Sequence, residues 1–348
     1  MPRAYRRPYL FIIGMTVFFL LIYILLYTDL SGSRLSSSPQ ENLDLKLSPD
    51  LLGLGVLQQP HGPGVVAGLS SKRIRGMPPF IPQLHIKTLP HPVVTSNMTE
   101  TEAEENFFRY LENKDVLCKN DVRLGHQHEG GWNVCLSPPF SLLHPCVVMS
   151  FGIGRDWQFD EAVSKIYGCR VLAYDPSILK IGDKQSKLIE FKRIGIGRRN
   201  EVNTAGWQLK TLGTIIRDEG LKDKIISYVK IDIEYSEWEV LKSIYQEMSL
   251  HNVRQFGFEM HSRELFHASK IDMPTTKEDF VQMYNLLSPL EDKFNFRKFN
   301  YRRNPLGEYK SNITGKLRSC CYDLHYLNMN FVTPNYTILH DQDSKLFH

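Results

Sequence analysis

The chain has 348 residues, 42% of them hydrophobic, which is enough apolar material for a folded domain with a sizeable core. Its formal net charge of +4 is small for that length, and no basic stripe interleaved with aromatics is present, which argues against nucleic acid as a partner. The densest basic cluster of the folded part, Lys192, Arg193, Arg198 and Arg199, reads as a solvated face.

Residues 8–27 form an uncharged, mostly apolar run, long enough to cross a bilayer as a helix. Arg3, Arg6 and Arg7 precede it and Asp29 follows, so the positive-inside rule leaves residues 1–7 in the cytosol and sends the rest into the lumen. The expectation is an uncleaved signal-anchor and a single-pass type II membrane protein. A cleaved signal and a secreted product are the alternative, against which stand the length of the run and the lack of an Ala-x-Ala-like site. Residues 28–101 read as a disordered stem, because they are rich in Pro, Ser and Gly and sustain no helical or strand period. Sequons at Asn97, Asn312 and Asn335 mark candidate N-glycosylation sites and agree with a lumenal body. In an oxidising lumen some of the six cysteines should pair; their spacing leaves the partners open and does not resemble a zinc site.

The folded part is expected at residues 102–348, opening with a helix at 102–111 that presents Phe107, Phe108 and Leu111 on one face. Residues 118–146 read as an irregular cap. Apolar runs and helical periods then alternate, the pattern of a parallel sheet with crossover helices. Strands are predicted at 146–150, 170–174, 187–194, 227–233 and 256–260, the fourth so apolar that it should be central and buried on both faces. Helices are predicted at 158–167, at 207–219 with Gly220 as its stop, and at 236–247. Thr275 and Glu278 have capping-box spacing for a further helix that ends near Leu287, before Pro289. Final strands at 295–299 and 323–331 close a mostly parallel seven-stranded sheet with an antiparallel pair.

The chemistry concentrates where strands end. Val147-Val148-Met149-Ser150-Phe151-Gly152-Ile153-Gly154-Arg155-Asp156 runs from an apolar strand into two close glycines, and the next strand delivers Asp175. In doubly wound α/β folds, backbone near such glycines approaches a nucleoside and the acid accepts hydrogen bonds from ribose hydroxyls. Ser150, Gly152, Gly154 and Asp175 are therefore candidate cofactor residues; the bland alternative is a plain strand-to-helix turn. Trp157 stands where a dinucleotide fingerprint would have its third glycine, which points to a nucleoside without a pyrophosphate, such as S-adenosylmethionine. Trp157 itself either packs on adenine or fills the core.

Asp232, Glu234, Glu259 and His261 lie at the ends of the fourth and fifth strands, the candidate acid–base residues. Asp232 and Glu234 share a strand face if the strand continues that far, and so do Glu259 and His261. Glu234 can equally be a helix N-terminal charge beside Ser236. A divalent-cation site at Glu259 and His261 stays open, and no metal is assigned.

Ser150-Phe151-Gly152-Ile153-Gly154, Tyr174-Asp175-Pro176-Ser177, Lys230-Ile231-Asp232-Ile233-Glu234-Tyr235-Ser236-Glu237 and Phe258-Glu259-Met260-His261 together resemble the membrane-anchored methyltransferase-like family of animals, over about residues 107–332. The third string is also similar to FkbM-type methyltransferases, which include sugar O-methylating enzymes. The resemblance implies a Rossmann-like S-adenosylmethionine-dependent methyltransferase fold. It also implies a cofactor loop at Gly152 and Gly154, a ribose acid at Asp175, and Asp232 beside the transferring methyl. Tyr235 departs from the glycine common in FkbM-type strings, which puts in doubt any substrate contact needing bare backbone there. The expected function is methyl transfer in the secretory pathway to a glycan hydroxyl or a protein. The alternatives are a type II membrane glycosyltransferase using Asp232-Ile233-Glu234 as a metal and nucleotide-sugar site, or a non-catalytic binding protein of the same fold.

Overall fold

A computed structural model describes residues 83–87, 91–179, 185–264, 274–333 and 337–341. The predicted membrane span at 8–27 and the sequon residue Asn335 lie outside the described residues. Among the described residues no helix is long and apolar enough to cross a membrane.

Seven strands form the central sheet: β1 (Val147–Phe151), β2 (Arg170–Tyr174), β3 (Ile189–Lys192), β4 (Ile226–Ile231), β5 (Val253–His261), β6 (Phe296–Arg303) and β7 (Cys321–Asn328). Their order is β3-β2-β1-β4-β5-β7-β6. β3, β2, β1, β4 and β5 pair in parallel, whereas β7 runs antiparallel to both β5 and β6. The predicted mostly parallel sheet with its closing antiparallel pair is therefore observed. Every residue of β4 is buried, as its apolar run demands for a central strand covered on both faces.

The crossover helices follow from local signals. α1 (Glu100–Leu111) starts at a capping box, with the Thr99 side chain accepting from the Glu102 N–H and the Glu102 carboxylate accepting from the Thr99 N–H. α2 (Gln158–Tyr167) stops at Gly168, whose φ of 65° suits a left-handed C-terminal residue. α3 (Leu212–Asp218), α4 (Glu237–Glu247) and α5 (Lys277–Asp292) complete the set. Phe107 and Phe108 of α1 meet Phe280 of α5 at centroid distances of 5.3 and 5.9 Å, joining the two helices within the largest apolar core.

Several expectations are corrected. The predicted helix from Trp207 begins only at Leu212: Gln208–Lys210 is a strand in a small three-stranded sheet, and the Thr211 side chain caps the helix by accepting from the Thr214 N–H. α5 is capped by Thr276 and Asp279 rather than Thr275 and Glu278, and it continues through Pro289 instead of stopping before it. Thr275 is diverted, because its N–H and hydroxyl both donate to the buried Glu264. The cap at 118–146 contains a hairpin, Asp121–Leu124 with Trp132–Cys135. The stretch read as stem to Thr101 also includes a strand, Gln83–Lys87, paired in parallel with Thr337–Asp341. Ordered backbone thus begins before residue 102.

All six cysteines are paired, as Cys118–Cys135, Cys146–Cys169 and Cys320–Cys321. The first ties the hairpin to the segment before it, and the second fastens the starts of β1 and β2.

Candidate active site

Parallel strands share a direction, so the ends of β1, β2, β4 and β5 meet along one edge of the sheet, where ligand crevices form in this architecture. β1 ends in the glycine turn. Gly152 has φ +74° and its N–H donates to the Tyr174 carbonyl, tying the turn to β2. A Cβ on Gly152 would lie 1.6 Å from the Asp232 carbonyl oxygen, so only glycine lets the loop lie against the end of β4. Gly154, φ +58°, is different: a Cβ there would meet nothing within 4 Å. One side of the turn is thus pressed onto the catalytic candidate Asp232, and the other has no atom within 4 Å of where a Gly154 side chain would begin.

Asp175 closes the turn from β2. Its Oδ2 accepts the Gly154 N–H at 2.8 Å, and its Oδ1 accepts the Ser177 N–H and hydroxyl at 2.8 and 2.6 Å. The acid thereby fixes the glycine loop itself, a duty additional to the ribose contact expected of it. Ser150 is buried within β1, 0% exposed. Trp157 packs edge-on against Phe191 of β3, half-buried, with ring centroids 5.7 Å apart.

A residue without an assigned role in the sequence reading holds the loop from behind. Lys230 is buried in β4, and its Nζ donates to the Gly152 carbonyl at 2.8 Å while lying 3.9 Å from the Asp232 carboxylate. A lysine interrupting the apolar run of β4 is the signal that could have exposed it.

β4 ends at Ile231, so Asp232 and Glu234 do not share a strand face as expected. The chain turns sharply instead, with Glu234 and Tyr235 at φ +54° and +76°. Tyr235 keeps the left-handed backbone that a glycine would adopt freely, at a cost of about 1–2 kcal/mol. The turn still brings Glu234 back to the others: ligand atoms of Asp232, Glu234 and His261 lie within 4.8 Å of one another.

His261, at the end of β5, is the hub. Its Nδ1 lies 3.2 Å from Glu237 Oε1, an oxygen that also accepts the Ile233 N–H, so the imidazole is oriented by the first turn of α4. Its Nε2 faces Glu259 Oε2 and Glu234 Oε2, each at 3.7 Å. The other Glu259 oxygen accepts from Asn304 Nδ2 at 3.0 Å, and Asp323 sits opposite Glu259 across the β5–β7 ladder. Arg123 and Arg302 approach Asp323 at 3.5 and 3.8 Å. Glu237, Asn304 and Asp323 were missed by sequence reasoning, because only the fold brings them to β5.

These contacts shape the protonation states. Burial, then Asp232, pushes the Glu259 carboxyl well above the ordinary range. Burial favours a neutral imidazole at His261, but the carboxylates of Glu237, Glu259 and Glu234 outweigh it and hold the group well above its ordinary value. Asp323 is likewise raised by burial, against the pull of Arg123.

A family profile described as "Methyltransferase domain" matches residues 84–308, more than half of the chain. The chain belongs to this methyltransferase family. It is 27% identical over 288 residues to "Probable methyltransferase-like protein 24" of Homo sapiens, covering 76% of this chain and 74% of that protein. The rat protein of the same name is 27% identical over 293 residues, covering 79% of this chain and 76% of its own length. Among solved structures, "Human methyltransferase 10 domain containing protein" aligns with 53% of this chain and 71% of its own, at 12% identity and a TM-score of 0.28. A SAM-dependent methyltransferase from Anabaena variabilis aligns with 53% of this chain and 77% of its own, at 11% identity and a TM-score of 0.30. The chain is a methyltransferase by family, which displaces the glycosyltransferase reading of Asp232-Ile233-Glu234, and the membership supports S-adenosylmethionine as its cofactor.

Proposed function

We propose that this methyltransferase uses S-adenosylmethionine at the Gly152–Gly154 turn and methylates an oxygen acceptor beside Asp232, within the secretory pathway. The observation that carries the reading is the contact between Gly152 and the Asp232 carbonyl, which puts the donor loop and the carboxylate cluster side by side. When bound, S-adenosylmethionine supplies an electrophilic methyl group on a sulfonium. Gly152 and Gly154 give it backbone access, and Asp175 offers its remaining carboxylate lone pairs to ribose hydroxyls.

An oxygen acceptor must be held in line and must lose a proton. The carboxylates of Glu237, Glu259 and Glu234 hold the His261 imidazole well above its ordinary value against its burial, which disfavours it as the proton acceptor. Asp232, with 26% of its side chain exposed, reaches the crevice and is the group placed to accept it. Glu237 positions His261, and Lys230 holds the Gly152 carbonyl.

The compartment and the acceptor belong to the same proposal. Its support is the apolar run at residues 8–27 with arginines before it, the pairing of all six cysteines, and the exposure of Asn97 and Asn312. A type II protein of the ER or Golgi would meet glycan hydroxyls and secretory proteins as acceptors, with residues 8–27 in the bilayer. The test compares cell-surface glycans and secretory proteins by mass spectrometry in cells carrying wild type or an Asp175→Ala/Asp232→Asn double variant. A methyl mark present only with wild type is the expected result; identical profiles would count against it.

A further inference from the structure

The carboxylate–histidine cluster has the build of a cation site that the methyl-transfer reading alone does not require. His261 is 2% exposed, and its Nδ1 is anchored by Glu237, itself buried. That anchor aims Nε2 into the cluster, where its neighbours, Glu259 Oε2 and Glu234 Oε2, stand at 3.7 Å, beyond hydrogen-bond distance. A carboxylate that fixes one imidazole nitrogen while the other faces a set of oxygens is the outer-shell arrangement of metal-bound histidines. The spacing agrees: donor atoms of Asp232, Glu234 and His261 all lie within 4.8 Å of one another. An ion at about 2.0–2.4 Å from each donor asks for donor separations of roughly 3–4 Å, and His261 Nε2 and Glu234 Oε2 stand 3.7 Å apart.

The charge balance points the same way. Asp232, Glu234, Glu237 and Glu259 gather around one imidazole, while the nearby guanidinium groups of Arg123 and Arg302 are directed to Asp323. Lys230 lies 3.9 Å from Asp232 but donates its hydrogen bond to Gly152. Cys321 shares the neighbourhood of Glu259 and His261 but is bonded to Cys320, so it offers no thiolate. The donor set is then carboxylate oxygens plus one imidazole, which suits Mn²⁺ or a similar divalent cation better than a thiolate-seeking metal.

We propose that Asp232, Glu234 and His261 bind one divalent cation at the mouth of the crevice. The ion would leave coordination positions open to an acceptor oxygen, whose proton would pass to the uncoordinated oxygen of Asp232. That consequence rests on the methyltransferase reading; the binding itself does not.

The test is calorimetric titration of the purified full-length protein with MnCl₂, with circular dichroism confirming the fold and S-adenosylmethionine titrated into the same preparation. Wild type is expected to bind one Mn²⁺ per chain, and Asp232→Asn or Glu234→Gln to weaken binding at least tenfold. Both substitutions lie in the turn after β4 rather than in the core, and His261→Gln serves as a third variant. Absence of saturable Mn²⁺ binding by folded wild type overturns the proposal, as does undiminished binding by both turn variants. S-adenosylmethionine binding in a sample that binds no Mn²⁺ would overturn the cation site and leave the methyltransferase reading standing.

Discussion

At the scale of single residues, the two glycines of the donor turn make opposite predictions. Gly152→Ala places a methyl group against the Asp232 carbonyl and in a left-handed conformation, so the turn or the end of β4 must move. Gly154→Ala meets no neighbour and incurs only the backbone cost, about 1–2 kcal/mol. Calorimetry with S-adenosylmethionine should show at least a hundredfold loss of affinity for the first variant and a much smaller loss for the second. Lys230→Met should keep the fold but release the Gly152 carbonyl, lowering stability by roughly 1–3 kcal/mol and weakening donor binding, both measurable on one preparation. A pH effect belongs to Asp160 of α2, whose carboxyl burial pushes up to about 6, against the pull of Lys230. The unfolded chain releases this proton near pH 4, so between about 4 and 6 the folded state holds more protons and stability falls as pH rises. Asp160→Asn removes that slope; urea unfolding at pH 4 and pH 7 should show the variant losing up to about 3 kcal/mol less than wild type on going to the higher pH. The glycine turn and Asp232 were legible as features of adjoining strand ends because glycine spacing and strand-end acids are local patterns. Glu237 and Asp323 were not, since their proximity to His261 and Glu259 arises only from strand pairing and helix docking.

At the scale of elements, caps decided the boundaries that periodicity left open. Thr99→Ala should cost about 1 kcal/mol in thermal or urea unfolding, because it removes the acceptor for the Glu102 N–H at the start of α1. Thr276→Ala should do the same to α5, whereas Thr275→Ala should act through Glu264, whose buried carboxylate loses the Thr275 hydroxyl donor and keeps the backbone N–H. The sequence Thr275-Thr276-Lys277-Glu278-Asp279 allows either threonine to cap, and local spacing cannot choose between them. The choice is made by Glu264, eleven residues earlier, which captures Thr275. The start of α3 has the same lesson: residues 208–210 were free to join a helix until Gly195–Ile196 and Glu201–Val202 paired with them. The buried strands needed no such arbitration. β4 declared itself by an apolar run that only a central parallel strand can bury on both faces.

At the scale of the whole molecule, strand order carries the function, because β3-β2-β1-β4-β5-β7-β6 brings the glycine turn, Asp175, Asp232 and His261 to one edge. The parallel strands and the closing antiparallel pair were legible from the alternation of strands and helices; their order was not, nor was the involvement of Gln83–Lys87, whose pairing partner lies at Thr337–Asp341. The Cys146–Cys169 link closes a span of 23 residues between β1 and β2, and its removal by paired serine substitutions should cost about 3 kcal/mol in unfolding experiments. The central claim, that this edge holds a methyl donor beside an acid cluster, is tested most directly by titrating S-adenosylmethionine into folded full-length protein, wild type and Gly152→Ala. The account predicts saturable one-to-one binding to wild type and its loss in the variant. A folded wild-type protein that binds no S-adenosylmethionine, or a Gly152→Ala protein that binds it equally well, would contradict it.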